Sequence, residues 1–229
     1  MQKEKWITEY AIRKDLPSSR TDKPSRALIT FIKTHPDFKG QALDVGCGNG
    51  RNLIYLAQNG FSVAGIEIVP EMVEVANQKL INNLYAKGSV VIDHSAGEKL
   101  PYKDQTFDLI IDMMTMHSLN PSEREVYAKE VNRMLNIGGY FVFYTISLSS
   151  PAAQVLFKVH PGPEPNSYII PQSQIIEKTF SQDDLSQLFS PLKWEHFEEK
   201  IEFTPAFGDM YERTYIYGVM KKVKELSFR

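Results

Sequence analysis

The chain has 229 residues, 42% hydrophobic and 24% charged, with a formal net charge of -2. That balance can bury a sizeable core, which excludes an intrinsically disordered chain, and it lacks the basic excess with which a nucleic-acid binder neutralises phosphates, so no DNA partner is expected. The single cysteine, Cys47, excludes an internal disulfide, and no apolar run approaches the ~20 residues that span a bilayer, so a cytoplasmic chain without a membrane partner is expected.

The charges before Trp6 are followed by no apolar stretch, so the start does not read as a secretory signal. Residues 4–14 place Trp6, Ile7, Tyr10 and Ala11 at helical spacing. Two prolines and two serines over 16–24 predict a loop. A second helix over 25–34 ends near Pro36. These pieces form a predicted helical cap over 1–36. A strand–helix alternation follows: strands over 41–45, 61–68, 89–93, 107–112 and 140–146, with helices over 52–58, from Pro70, and over 121–135. Gly138-Gly139 is read as the turn before the fifth strand. This rhythm predicts a parallel sheet with right-handed crossovers over 40–146.

After Ile146 the rhythm breaks. Residues 147–180 hold five prolines and one helical pattern near 152–159, and they also carry Phe157, Tyr168, Ile169 and Ile170, which fits an insertion or lid rather than a linker. Residues 181–229 supply a closing helix with Asp183 and Asp184 in its first turn, then a strand pair over 193–203 and 211–219. The tail Lys221, Lys222, Lys224, Arg229 reads as a solvated charged end.

The informative stretch is Asp44-Val45-Gly46-Cys47-Gly48-Asn49-Gly50, a strand end running through glycines into a helix. Open parallel sheets bind ligands at the carboxyl ends of their strands, and glycines there admit a ligand close to the backbone. A dinucleotide fingerprint wants glycine where this chain has Arg51. Asp44 would repel a pyrophosphate but attract an ammonium group. On these residues alone, Asp44 is either a strand-end cap or a ligand contact.

The stretch resembles the first motif of class I S-adenosylmethionine-dependent methyltransferases, and further stretches keep pace with it: Glu67 23 positions after Asp44, Glu98-Lys99-Leu100-Pro101-Tyr102, Phe107-Asp108-Leu109-Ile110, and Leu135-Asn136-Ile137-Gly138-Gly139-Tyr140. The resemblance covers about residues 40–146 and implies a doubly wound α/β Rossmann-like sheet, seven-stranded and mostly parallel, with an antiparallel last strand and helices on both faces. It implies S-adenosylmethionine as cofactor. Asp44, Gly46, Cys47, Gly48, Asn49 and Gly50 would hold the amino-acid end, Glu67 the ribose diol, and Ile68 the adenine. The family's usual acid near position 96 is replaced by Ala96, so Ala96, Gly97 or Glu98 would meet the adenine amino group, or Asp93 and His94 after a small shift. Asp112 and Met113 end the fourth strand where substrate meets the methyl group, and Tyr10 is placed over the methionine end.

His117 reads equally as a base or as a structural histidine. Tyr144, His160, Tyr168 and Arg213 are further candidates for the pocket. Cys47 reads as a small loop residue, because Asp44 and Glu67 beside it would disfavour a thiolate. No grouping has metal-ligand spacing, so no metal is expected. The expected activity is methyl transfer to a small-molecule acceptor by a monomer or homodimer. The alternatives are a protein or RNA methyltransferase, a nicotinamide oxidoreductase (against which Asp44 and Arg51 argue), and a non-catalytic cofactor-binding module.

Overall fold

A computed structural model describes residues 2–12, 21–86, 88–206 and 209–224. Most of the loop predicted over 16–24, and the terminal Arg229, lie outside the described residues. Two helices, α1 (Gln2–Ile12) and α2 (Arg26–Thr34), precede the sheet. The alternation then runs β1 (Gln41–Val45), α3 (Arg51–Gln58), β2 (Ser62–Glu67), α4 (Pro70–Ile81), β3 (Val90–Asp93), β4 (Phe107–Met113), α5 (Pro121–Met134) and β5 (Leu135–Ile146). Then come α6 (Pro151–Val159), the short pair β6 (Ser167–Ile169) and β7 (Ile176–Lys178), α7 (Gln182–Leu188), and the long hairpin β8 (Leu192–Ala206) with β9 (Asp209–Lys222).

The seven-stranded sheet has the order β3-β2-β1-β4-β5-β9-β8. Strands β1 to β5 pair in parallel, and β9 enters antiparallel between β5 and β8. The chain winds outward from β1 through β2 to β3, then restarts at β4 on β1's other side. The carboxyl ends of β1 and β4 therefore form the switch point, where such sheets bind ligands.

Two apolar layers cover the sheet because successive side chains of a strand face opposite sides. Leu43, Val45, Ile110, Phe141 and Phe143 pack with Tyr127 and Val131 of α5 and Leu185 of α7. Ala42, Leu109, Ile111 and Val142 pack with Phe31 of α2 and with Leu53 and Leu56 of α3. Both α5 and α7 begin with capping boxes, Asn120 with Glu123 and Ser181 with Asp184, which satisfy first-turn N–H groups.

Two predicted features differ. Gly138-Gly139 is not a turn before a strand. It is a bulge within β5, where the register jumps from Phe107↔Leu135 to Leu109↔Tyr140. Gly138 takes φ +85 there, and the Asp108 carboxylate pins the bulge by accepting from Asn136 Nδ2 at 2.8 Å and from Gln41 N at 2.9 Å. The 147–180 segment also holds more structure than its one predicted helix, because β6 and β7 form a small hairpin.

At the antiparallel seam, Gly218 faces Phe143, and a Cβ at Gly218 would collide with the Phe143 ring. Gly218→Ala is expected to cost about 1–3 kcal/mol of stability, the usual cost of overpacking, read as a lower urea midpoint at unchanged slope.

Candidate functional site

A cavity of about 950 Å³ opens at the carboxyl ends of β1, β2 and β4. Its walls come from α1, the glycine loop, the β2 and β4 ends, the β6–β7 segment and the β8–β9 hairpin. Among the described residues no helix is long and apolar enough to cross a membrane.

The loop after β1 is held by backbone hydrogen bonds: Gly46 N and Cys47 N both donate to Ile66 O, at 2.9 and 3.0 Å. Gly46 lines the cavity with φ +71, and a Cβ there would collide with the Thr115 side chain. Thr115 itself donates from Oγ1 to Val45 O at 2.8 Å, which ties the loop after β4 to the end of β1.

Three carboxyl groups are buried at this edge of the sheet. Glu67 accepts from three backbone amides, Gly48 N at 2.9 Å, Ile68 N at 2.8 Å and Val69 N at 2.9 Å. Asp112 accepts from Thr115 N at 2.7 Å, Met116 N at 3.0 Å and the Tyr127 hydroxyl at 2.8 Å. Asp44 is fully buried, and neither of its oxygens has a donor at bonding distance among the described residues. Burial pushes the Asp44 carboxyl up to about 8; Arg51 and the Asn52 amide oppose that rise, while Asp112 and Glu67 add to it. A buried carboxyl without donors fits a cofactor that carries an ammonium group.

The remaining predicted residues divide. Gly46, Glu67, Ile68, Ala96, Met113, His117 and Tyr10 line the cavity. Cys47, Gly48, Asn49 and Gly50 lie behind its wall. Asn49 serves the fold, accepting from Arg51 N at 3.2 Å and donating to Thr21 O at 3.3 Å. Burial first, then the charges of Asp44 and Glu67, push the Cys47 thiol up, as expected of a loop residue that is no nucleophile. Gly97 and Glu98 are not on the wall either. Gly97 packs on the Glu123 side chain and Glu98 is exposed, so His94, Ser95 and Ala96 form that side. Asp112 is also off the wall, its carboxylate spent on shaping the turn that delivers His117. Of the further candidates, Tyr144 and Arg213 line the cavity and their rings and charges face it with Tyr215, whereas His160 and Tyr168 stand outside it.

A methyltransferase-domain family matches residues 43–143. The chain is 29% identical to a probable phthiotriol/phenolphthiotriol dimycocerosates methyltransferase of Mycobacterium ulcerans, over 62% of this chain and 54% of that protein. It is 30% identical to a tRNA (carboxymethyluridine(34)-5-O)-methyltransferase of Saccharomyces cerevisiae, over 69% of this chain and 54% of that one. The fold matches an S-adenosylmethionine-dependent methyltransferase structure from Methanosarcina mazei, with TM-score 0.68 and 22% identity over 80% of this chain and 93% of that one. The chain belongs to the class I S-adenosylmethionine-dependent methyltransferases. It spans about half the length of the curated relatives it matches.

The site of this methyltransferase includes residues that the sequence did not single out. Trp6 and Glu9 of α1 and Arg51 of α3 line the cavity, and so does Glu177 of β7. Glu177 is buried and lies 3.8 Å from His117 Nε2. Its one legible signal is an acid set in the apolar run from Ile175 to Phe180.

Asp112→Asn would leave an amide facing donors on both sides. The expected loss is about 1–3 kcal/mol, measured by urea denaturation, from buried groups left unpaired.

Proposed function

We propose that this chain transfers a methyl group from S-adenosylmethionine to a small-molecule acceptor inside the cavity. The buried Asp44 carboxyl, left without a donor behind Gly46, carries the reading, because it supplies what an ammonium group needs. Glu67, fixed by its three amides, keeps lone pairs for a ribose diol, since each carboxylate oxygen accepts more than one hydrogen bond. Ile68 and Ala96 supply apolar surface for adenine, and Tyr10 and Trp6 of α1 cover the opposite side. The Lys3–Asp93 ion pair at 2.7 Å fastens α1 over the β3 end. The cofactor's sulfonium supplies an activated methyl, so the protein's task is alignment in a dry pocket.

Relatives' names point both to a small acceptor and to a tRNA, and the geometry favours the first. The acceptor end is walled by Met113, Met114, Ile170, Tyr144 and Tyr215, the two tyrosine rings stacked at 4.9 Å. A cavity of this volume is of ligand size, whereas an RNA base would come with a basic groove for its phosphates.

Calorimetric titration of S-adenosylhomocysteine tests the cofactor half. Micromolar binding by the wild type, lost in Asp44→Ala and Glu67→Ala, is expected; no binding by the folded protein would overturn it. The pH dependence has a definite sign. Asp44 holds its proton in the free protein and must release it to face an ammonium group, so binding tightens as pH rises toward about 8 and releases a proton at neutral pH. Asp44→Asn is expected to bind without that release, read by repeating the titration in buffers of different ionisation enthalpy. In the free protein the same raised value makes folding stability fall as pH rises from the ordinary carboxyl range toward about 8.

A further inference from the structure

At the acceptor end, four polar groups from four elements converge away from the cofactor-facing carboxyls. His117, on the short turn Met116–Ser118, is 2% exposed and lines the cavity. Its Nε2 lies 3.8 Å from Glu177 Oε1, and its Nδ1 has no hydrogen-bond partner among the described residues. Glu177 of β7 also accepts a hydrogen bond from the Tyr168 hydroxyl of β6 and lies 3.8 Å from the Arg213 guanidinium of β9. Burial alone would push the Glu177 carboxyl up, but His117, Arg213 and Tyr168 outweigh it and hold the group down at about 2, so it is an anion at working pH. An imidazole whose Nε2 faces a fixed anion keeps its proton there and its lone pair on Nδ1. That lone pair is buried and unmatched, as is the N–H of Arg213 Nε beside Glu177.

We propose that His117, oriented by Glu177, is the base that takes the proton from an acidic hydroxyl of the acceptor, and that this site methylates a phenolic or enolic oxygen on a planar, apolar body. The inference rests on the cofactor reading above. An unmatched lone pair and an unmatched N–H ask for one molecule that carries both a hydroxyl donor and an oxygen acceptor. A simple alkanol is too weak an acid for an imidazole, and a cationic amine would meet the Arg213 charge. The flat walls of Tyr144, Tyr215 and the methionines suit a ring. In the reaction, the acceptor O–H bond breaks with its proton to Nδ1, and the oxygen pair forms the bond to the methyl carbon. The carbon–sulfur pair returns to sulfur, and His117 passes the proton to solvent. The net products are the methyl ether, S-adenosylhomocysteine and one proton. Glu177 touches only the base and is a positioning residue.

The test uses 4-nitrophenol as the probe, bound to the protein saturated with S-adenosylhomocysteine and followed by phenolate absorption against pH. Proton transfer to His117 is expected to lower the probe's ionisation midpoint by about one unit, a tenfold gain for the phenolate. His117→Gln is expected to abolish the shift, Glu177→Gln to reduce it, and Glu177→Asp to restore part of it. Circular dichroism and S-adenosylhomocysteine binding check that each variant is folded and loaded. The groups facing His117 are Glu177, Arg213, Tyr168 and Asp112, and of these Arg213 alone also favours a phenolate. A shift that survives His117→Gln therefore belongs to Arg213 and overturns the base. A probe that fails to bind the loaded protein, or that ionises as it does free in solution, overturns the acceptor class. Failure of S-adenosylhomocysteine itself to bind wild type overturns the cofactor reading instead.

Discussion

Three carboxyl groups, Asp44, Glu67 and Asp112, are buried at the carboxyl edge of the sheet, and the rest of the site depends on how their charge is met. Burial raises all three, because a low-dielectric surround disfavours the ionised form. Two are answered from within: Glu67 by three amides of the loops around it, and Asp112 by two amides and the Tyr127 hydroxyl. Those bonds fix the glycine loop against β2 and the turn after β4, so the walls of the cavity are set by charge satisfaction as much as by apolar packing. Asp44 is the one left over. A fold that leaves one carboxyl unmatched beside two matched ones has a vacancy of defined sign, and an amino-acid ammonium fits it.

The sheet order explains why these groups meet. Val45 of β1 is paired with Asp112 of β4, and Glu67 of β2 with Asp93 of β3, so four strand ends stand side by side at the switch point. The acceptor half is assembled differently. Its polar groups come from a turn, a two-strand hairpin and a long hairpin arm, elements far apart in sequence that meet only around Glu177. The cofactor half is thus a property of the core sheet, and the acceptor half of what is inserted after it.

That division also decides what was legible in the sequence. The core strands were readable because strands buried on both faces give short apolar runs such as Leu109-Ile110-Ile111, and Asp44, Gly46 and Glu67 sit at their ends in a motif of fixed spacing. The β5 bulge was misread because Gly138-Gly139 has the composition of a turn; the local signal for a positive φ is the same whether the chain reverses or kinks within a strand. The β6–β7 hairpin was missed because each strand has three residues, too few for an alternation to register. Glu177 was missed with it, since its role arises from partners 60 residues before it and 36 after it, as the numbering of His117 and Arg213 shows. Cys47, Asn49, Gly97 and Glu98 were carried over with their motifs, yet motif membership does not say which members face a ligand and which hold the loop.

The most direct test of the unmatched carboxyl is a crystal structure of the protein with S-adenosylhomocysteine. The ligand's amino group is predicted within hydrogen-bond reach of Asp44 past Gly46, with its ribose on Glu67 and its adenine between Ile68 and Ala96. A ligand bound elsewhere, or one in this cavity with its amino group turned away from an Asp44 that still lacks a donor, would contradict it.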